Sequence, residues 1–393
     1  MPQNKLMTKH KSNSQLLDIT QHEIAALKMR YNLADAHTHQ RQSDSQKEFI
    51  ISHLPDLWYE SEKKTQYELE QKFIQAFFSL HRQPTALKTG RNTLYYSASV
   101  ATMVVANYLR QKGMSTALVE PCFDNLHDLL KNHQVDIHRL EENWLHEPHK
   151  IYQNLSASIQ ADSIFIVDPN NPTGFSMLIH QQQAFREVIR FCKDHKKLLI
   201  FDFCFASFAL MDQKVGRFDI YALLEDSGVQ YIAIEDTGKT WPLQDAKCAI
   251  MTVSSDLYQD IYSLHTAVLL NVSPFVLNLV TQYLYESKRD NFYSITSLLE
   301  TNREMIKREL FGHLLEYCEP KVNVSVSWWK IKDNKITATE LQKLLQKEEI
   351  YVLPGTYFFW SDHSQGEDYI RIALAREPEM FAAAIKLIKE VIA

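Results

Sequence analysis

Glycine is scarce in this sequence: there are nine in 393 residues, where about 7% is usual. That density leaves no room for a glycine-rich linker, and the glycines that remain, Gly90, Gly174 and Gly238 among them, mark places where the backbone needs space. Cysteine is sparse too. Cys122, Cys192, Cys204, Cys248 and Cys318 lie far apart, mostly in apolar runs and without CxxC spacing. This excludes a disulfide scaffold and points to reduced thiols in a cytoplasmic protein. No apolar run approaches the length of a bilayer span. The N-terminal "MPQNKLMTKHKSNSQ" carries Lys5, Lys9 and Lys11 with no apolar stretch behind them. It reads as a short flexible tail and not as a secretory signal. A net charge of −6 gives no general attraction for nucleic acid or an anionic membrane.

What is present is enough apolar material, 45% of the chain, to bury more than one domain's core. From about 90 to 255, short apolar runs alternate with amphipathic helical stretches: "TALVE" (116–120), "SIFIVD" (163–168), "KLLIFD" (197–202), "QYIAIE" (230–235) and "CAIMTV" (248–253). Continuously apolar strands separated by helices predict an α/β fold, with a parallel sheet covered on both faces. "RQPTALKTGRN" before them reads as a loop, and "SVATMVVANYLRQKG" as the first helix of the unit. After Pro274 the pattern turns helical, then returns to strands at "NVSVSWWKI" and "DYIRIALA", as a smaller α+β domain would. The expected division is an N-terminal arm (1–45), a large domain (46–275) and a small domain (276–393).

In open α/β sheets, ligands bind beyond the carboxyl ends of the strands. "SIFIVD" leads there into "PNNPTG", "KLLIFD" stops at Asp202, and "QYIAIED" runs into Thr237, Gly238 and Lys239. Taken singly, these are a β-turn, a cap and a solvated lysine. Together at one sheet edge, a lysine, an aspartate and an asparagine are what pyridoxal 5'-phosphate (PLP) needs. The lysine forms the imine and moves protons, the aspartate keeps the pyridine nitrogen protonated, and the asparagine bonds the ring oxygen.

Over 90–375 the ordered motifs "EPCFDN", "DPNNPTG", "DFCF", "DTGK" and "YIRIA" resemble the fold-type-I PLP enzymes of the class I/II aminotransferase family. The resemblance implies a large domain with a mostly parallel sheet plus a smaller α+β domain. It implies that Lys239 carries PLP, Asp202 pairs with the pyridinium, Asn171 meets the ring oxygen and the substrate, and Phe123 stacks on the ring. Ser97, Ala98 and Ser99 would hold the phosphate at a helix N-terminus. Lys247 stands where the family usually has a phosphate-binding arginine. Arg371 would grip the substrate α-carboxylate as a bidentate fork. A homodimer with sites at the interface is also implied.

One departure lies at Phe205, where the family usually has a tyrosine donating to the ring oxygen. The other is the arm, whose "NLADAHTHQ" together with "IEDTGKTWP" and "PCFDNLHDLL" resembles a narrower subgroup, the PLP- and O2-dependent L-arginine oxidases of natural-product biosynthesis. These take O2 as electron acceptor, without metal or flavin, and give either 4-hydroxy-2-ketoarginine or a desaturated 4,5-dehydroarginine-type product. In that subgroup Thr20 and Glu23 match positions that meet the bound arginine. Their T-x-x-E spacing equally fits a helix capping box. Asp236 is a second candidate carboxylate for the guanidinium. Asp35 and His37 match positions near the substrate, with His37 the base or water-positioning group. His37 and His39 could pair on a metal, but no third ligand has sensible spacing. The arm as a whole reads as a lid that closes over the substrate. The competing readings are an ordinary aminotransferase and a non-catalytic PLP-fold ligand sensor. The arm is too short and too weakly basic to be the DNA-binding domain such sensors carry.

Overall fold

The computed structural model describes residues 18–39, 42–243, 245–333 and 335–393; the N-terminal tail lies outside them. The arm opens with the helix Ile19–Ala26 and supplies one short strand, β1 (Tyr31–Asn32). Seven strands then build the main sheet: β2 (Asn92–Tyr95), β3 (Thr116–Glu120), β4 (Ile137–Glu141), β5 (Ser163–Val167), β6 (Leu198–Asp202), β7 (Tyr231–Asp236) and β8 (Ala249–Val253). Their spatial order is β2-β8-β7-β6-β5-β3-β4. Only β8 runs against its neighbours; the adjacent pairs from β7 to β4 are parallel.

Five of these strands are the five apolar runs of the sequence, and every residue in them is buried. Helices such as Ala98–Lys112 and Gln182–Asp194 cover the faces. The direction of β8 was not legible, because burial on both faces gives the same apolar run whichever way a strand points. The edge strands β2 and β4 carry polar side chains such as Asn92, His138 and Arg139 and so did not stand out as apolar runs. "RQPTALKTGRN" is not wholly a loop. It contains the helix Pro84–Thr89, opened by proline at its first turn and closed by Gly90 at φ 66°, the usual asymmetry of helix ends.

The later chain adds β9 (Leu315–Cys318), β10 (Val326–Ile331), β11 (Ile350–Tyr351), β12 (Leu353–Pro354) and β13 (Tyr369–Ala373). Four of them form an antiparallel sheet in the order β12-β13-β10-β9. Nearby, the helices Tyr293–Leu310 and Pro378–Ile392 pack on each other. The arm joins this half: β1 pairs in parallel with β11, and the Leu33 carbonyl accepts the Ala373 N–H at 2.8 Å. No helix among the described residues is long and apolar enough to cross a membrane.

Candidate active site

The register of the main sheet brings the expected residues to one edge. Val167 lies opposite Asp202, and Asp202 opposite Ile234, so the turn with Asn171, the Asp202 carboxylate and the segment with Lys239 all leave the sheet at the same end. The turn is held by Gly174 at φ 69°; a Cβ there would lie 2.5 Å from Pro320 Cβ. Ser97 caps the helix Ala98–Lys112, and Phe123 occupies the N-cap position of Asp124–Asn132. A cavity of about 250 Å³ opens between them. Lys239, Asp202, Asn171, Phe123 and Phe205 line it, as do Ser97, Ala98, Ser99 and Lys247.

These groups fit PLP on their own chemistry. Asp202 is 8% exposed, and one of its oxygens accepts the Cys204 N–H at 2.8 Å. Burial pushes its carboxyl up from the ordinary value, against the Cys204 hydrogen bonds. A pyridinium would supply the cation such a buried carboxylate wants. At the N-terminus of the helix Ala98–Lys112, Asp236 Oδ2 accepts the Ala98 N–H at 2.9 Å, at the positive end of the helix dipole. The other Asp236 oxygen takes the Gly238 N–H. A Cβ on Gly238 would come within 2.7 Å of Lys247 Cδ, so glycine leaves room for Lys247 beside the helix end. Phe205, 3% exposed, offers no hydroxyl.

The arm reaches the cavity through Thr20, Glu23 and His37. His37 Nε2 lies 3.3 Å from Lys239 Nζ and 3.1 Å from Lys247 Nζ. Lysine ammonium groups only donate, so the ring proton sits on Nδ1, which donates to Asp35 Oδ1 at 2.6 Å. Asp35 Oδ2 takes His39 Nε2–H at 2.7 Å. Burial alone would raise the Asp35 carboxyl, but the hydrogen bonds of His37 and His39 hold it well below the usual carboxylate range, helped by the charge of Lys239. Asp35 therefore meets His37 and His39 and lines an outer cavity of about 570 Å³, next to the inner one. Among the described residues no group of three or more His, Cys, Asp or Glu could hold a metal ion.

The expected Thr20–Glu23 capping box is not there. Asp18 is the N-cap, its side chain accepting the Gln21 N–H at 2.7 Å, and Thr20 lies inside the helix. Asp18 stands one position before the first helical residue, which leaves Glu23 free to turn to Arg371 at 3.1 Å. Thr20 and Glu23 both line the inner cavity. Arg371 does not: it is fully buried, with Nη1 donating to Asn171 Oδ1 at 3.2 Å and Nη2 donating also to the Ala34 carbonyl. The Phe358 ring lies 5.3 Å from its Cζ.

Sequence reasoning missed three residues here. Arg376, 1% exposed, donates to the carbonyls of Asn32, Asp35 and His37 and so clamps the arm. Burial pushes its guanidinium down to about 10. Asp124 accepts the Ile19 N–H at 2.7 Å, docking the arm helix. Asn125 lines the cavity and accepts from Ser99 Oγ at 3.1 Å. A usable signal existed only for Arg376, a cation directly after the apolar run of β13.

The family model of aminotransferase class I and II matches residues 61–388. The chain belongs to that family. It is thus a PLP-dependent enzyme of the aminotransferase family, with the α/β fold of fold type I. Among solved structures it is similar to MppP, soaked with its product 2-ketoarginine, at 29% identity and a TM-score of 0.82, covering 91% of this chain and 99% of that one. It is also similar to the α-aminoadipate aminotransferase LysN of Thermus thermophilus (12% identity, TM-score 0.76, 95% and 94% covered) and to the aspartate aminotransferase of the same organism (12%, TM-score 0.75, 99% and 100%). At those identities the last two speak for the fold alone. No curated protein matches the chain.

Proposed function

We propose that this aminotransferase-family enzyme oxidises L-arginine with O2 as electron acceptor, giving 4-hydroxy-2-ketoarginine or a desaturated, 4,5-dehydroarginine-type product in natural-product biosynthesis. The observation that carries the reading is His37, delivered by the arm to within 3.3 Å of Lys239 Nζ. Support comes from the similarity to MppP, whose product is 2-ketoarginine. In the hydroxylation branch, two O2 would leave as two H2O2 while water supplies the new oxygen and the amino group leaves as ammonia.

When bound, PLP would supply an electron sink for the negative charge that develops at the Cα of the amino acid. Lys239 would carry PLP and then move the Cα proton, while Asp202 pairs with the ring nitrogen. Ser97, Ala98, Ser99 and Lys247 would hold the phosphate, with Phe123 against the ring face. Phe205 leaves the ring oxygen without the usual tyrosine donor, favouring a different charge distribution. His37, its proton fixed on Nδ1 by Asp35, offers Nε2 to take a proton from Lys239 or from a water aimed at C4. Arg371 and Asn171 would take the α-carboxylate, and Glu23, with Thr20 and Asp236 nearby, the guanidinium. The seated arm keeps water off the reacting atoms.

Oxygen uptake by the PLP-loaded protein on adding L-arginine, with mass spectrometry of the product, tests this. Uptake, with a product that has lost hydrogens or gained an oxygen after deamination, is expected. Family membership favours one alternative, an ordinary aminotransferase, which would turn over under nitrogen with a 2-oxo acid and consume no O2. We further propose a homodimer, as the fold-type-I resemblance implies. Sedimentation analysis checks that.

A further inference from the structure

We infer that Glu23 is a specificity gate: it covers Arg371 and yields it to a ligand that brings both a carboxylate and a distal cation. The inference rests on the reading of Arg371 as the carboxylate anchor and deepens the assignment of arginine as substrate.

Arg371 is 0% exposed and does not line the cavity, whereas Glu23 lines both the inner and the outer one. The Glu23 carboxylate sits 3.1 Å from Arg371 Nη2, so a carboxylate of the arm already holds the guanidinium that an incoming α-carboxylate must take. Arg371 Nε is buried with no partner, leaving one donor of the fork unspent in this arrangement. The Glu23 side chain is only 12% exposed. Once displaced, it would be a nearly buried carboxylate without its cation, a strongly unfavourable state. A ligand with an apolar tail leaves Glu23 in that state. One with a distal guanidinium replaces the lost cation, so the exchange of ion pairs is close to balanced. Selection against amino acids lacking a cation thus comes from the broken Glu23–Arg371 pair as well as from a new contact.

The test titrates the PLP-loaded full chain with L-arginine and with L-norleucine, following the absorbance of the bound cofactor as a binding readout. Parent, Glu23→Gln and Glu23→Ala are compared; glutamine keeps the size of the side chain without its charge. L-norleucine should bind at least about tenfold tighter to both variants than to the parent, and L-arginine at least about tenfold weaker, the scale of one charge-assisted hydrogen bond. The gate is overturned if L-norleucine gains nothing in either variant. If L-norleucine gains while L-arginine is unaffected, the cover over Arg371 stands and the arginine assignment fails.

Discussion

The two ends of the cavity are built by different means. The end proposed for the cofactor stands on β5, β6 and β7, whose residues are all buried, and its side chains come from strand ends that strand pairing positions and from a helix N-terminus packed against the sheet. The arm end has one two-residue strand and an eight-residue helix. It is held by side chains reaching from far away in sequence, Arg376 to Asn32, Asp35 and His37, and Asp124 to Ile19. An end fixed by the sheet keeps its geometry whether or not a ligand is present. An end fixed by a few polar contacts can let go, as a lid must.

The largest effect expected is at the cofactor end. Lys239→Ala should cut turnover by roughly 10⁴-fold or more, the scale of removing a nucleophile from a catalytic unit. It should leave the arm seated, because Arg376 and Asp124 are untouched. Steady-state rates and protease resistance of the arm read the two separately; an arm that loosens in this variant would mean that the ends are not independent.

Asp124, at the seam between the ends, gives a pH dependence. Burial pushes its carboxyl up to about 8, opposed by the Ile19 N–H and reinforced by Asp128, Asp18 and Glu23. The folded value lies above the ordinary one near 4, so the folded state binds this proton more tightly than the unfolded chain. The contribution to stability is then complete below about pH 4 and is lost as pH rises through 8, on the order of 1 kcal/mol per pH unit within that window. Asp124→Asn keeps an acceptor for Ile19 and removes the titration. Thermal midpoints of the two proteins should therefore diverge between pH 5 and 8, the variant becoming relatively more stable. Parallel curves would show that Asp124 does not titrate there.

Arg376→Met should come next, at roughly 3 kcal/mol, for leaving buried carbonyls without donors. Trypsin should then cut at Lys28 or Arg30, while the cofactor's absorbance, and so the other end, is unchanged. An arm as resistant as the parent's would remove Arg376 as its clamp.

What was legible in the sequence follows the same division. Lys239, Asp202 and Asn171 could be picked out because each ends or follows an apolar run, and a strand end is a local signal. So was the sheet itself, apart from the direction of β8 and the polar edges β2 and β4. The arm misled at Thr20 and Glu23, because a T-x-x-E spacing carries a capping box only if the threonine is the N-cap, and here the helix begins before it, behind Asp18. Asp35 and His37 stood out only through the resemblance, and their bond, the sharing of Asp35 with His39, and the burial of Arg371 under Glu23 depend on tertiary contacts that no local pattern encodes.

The smallest pair of effects probes how tightly the arm sets its chemistry. Asp35 accepts from His37 with one oxygen and from His39 with the other, so it is the common support of both rings. Asp35→Asn can no longer accept from both as an anion. It should lower turnover about 10²-fold, the low end of what a positioned acid–base group supplies, with little change in KM. His39→Leu leaves the Asp35–His37 bond in place and should lower turnover less than about tenfold, a fraction of that same contribution. His39→Gln, a neutral donor to the same oxygen, should restore most of the loss. Proton NMR of the loaded enzyme reads the bonds directly: two downfield imidazole protons in the parent, one in His39→Leu, none in Asp35→Asn. If His39→Leu matches Asp35→Asn in both rate and spectrum, the two histidines act as one unit, and the arm sets its geometry as rigidly as the sheet sets the other end.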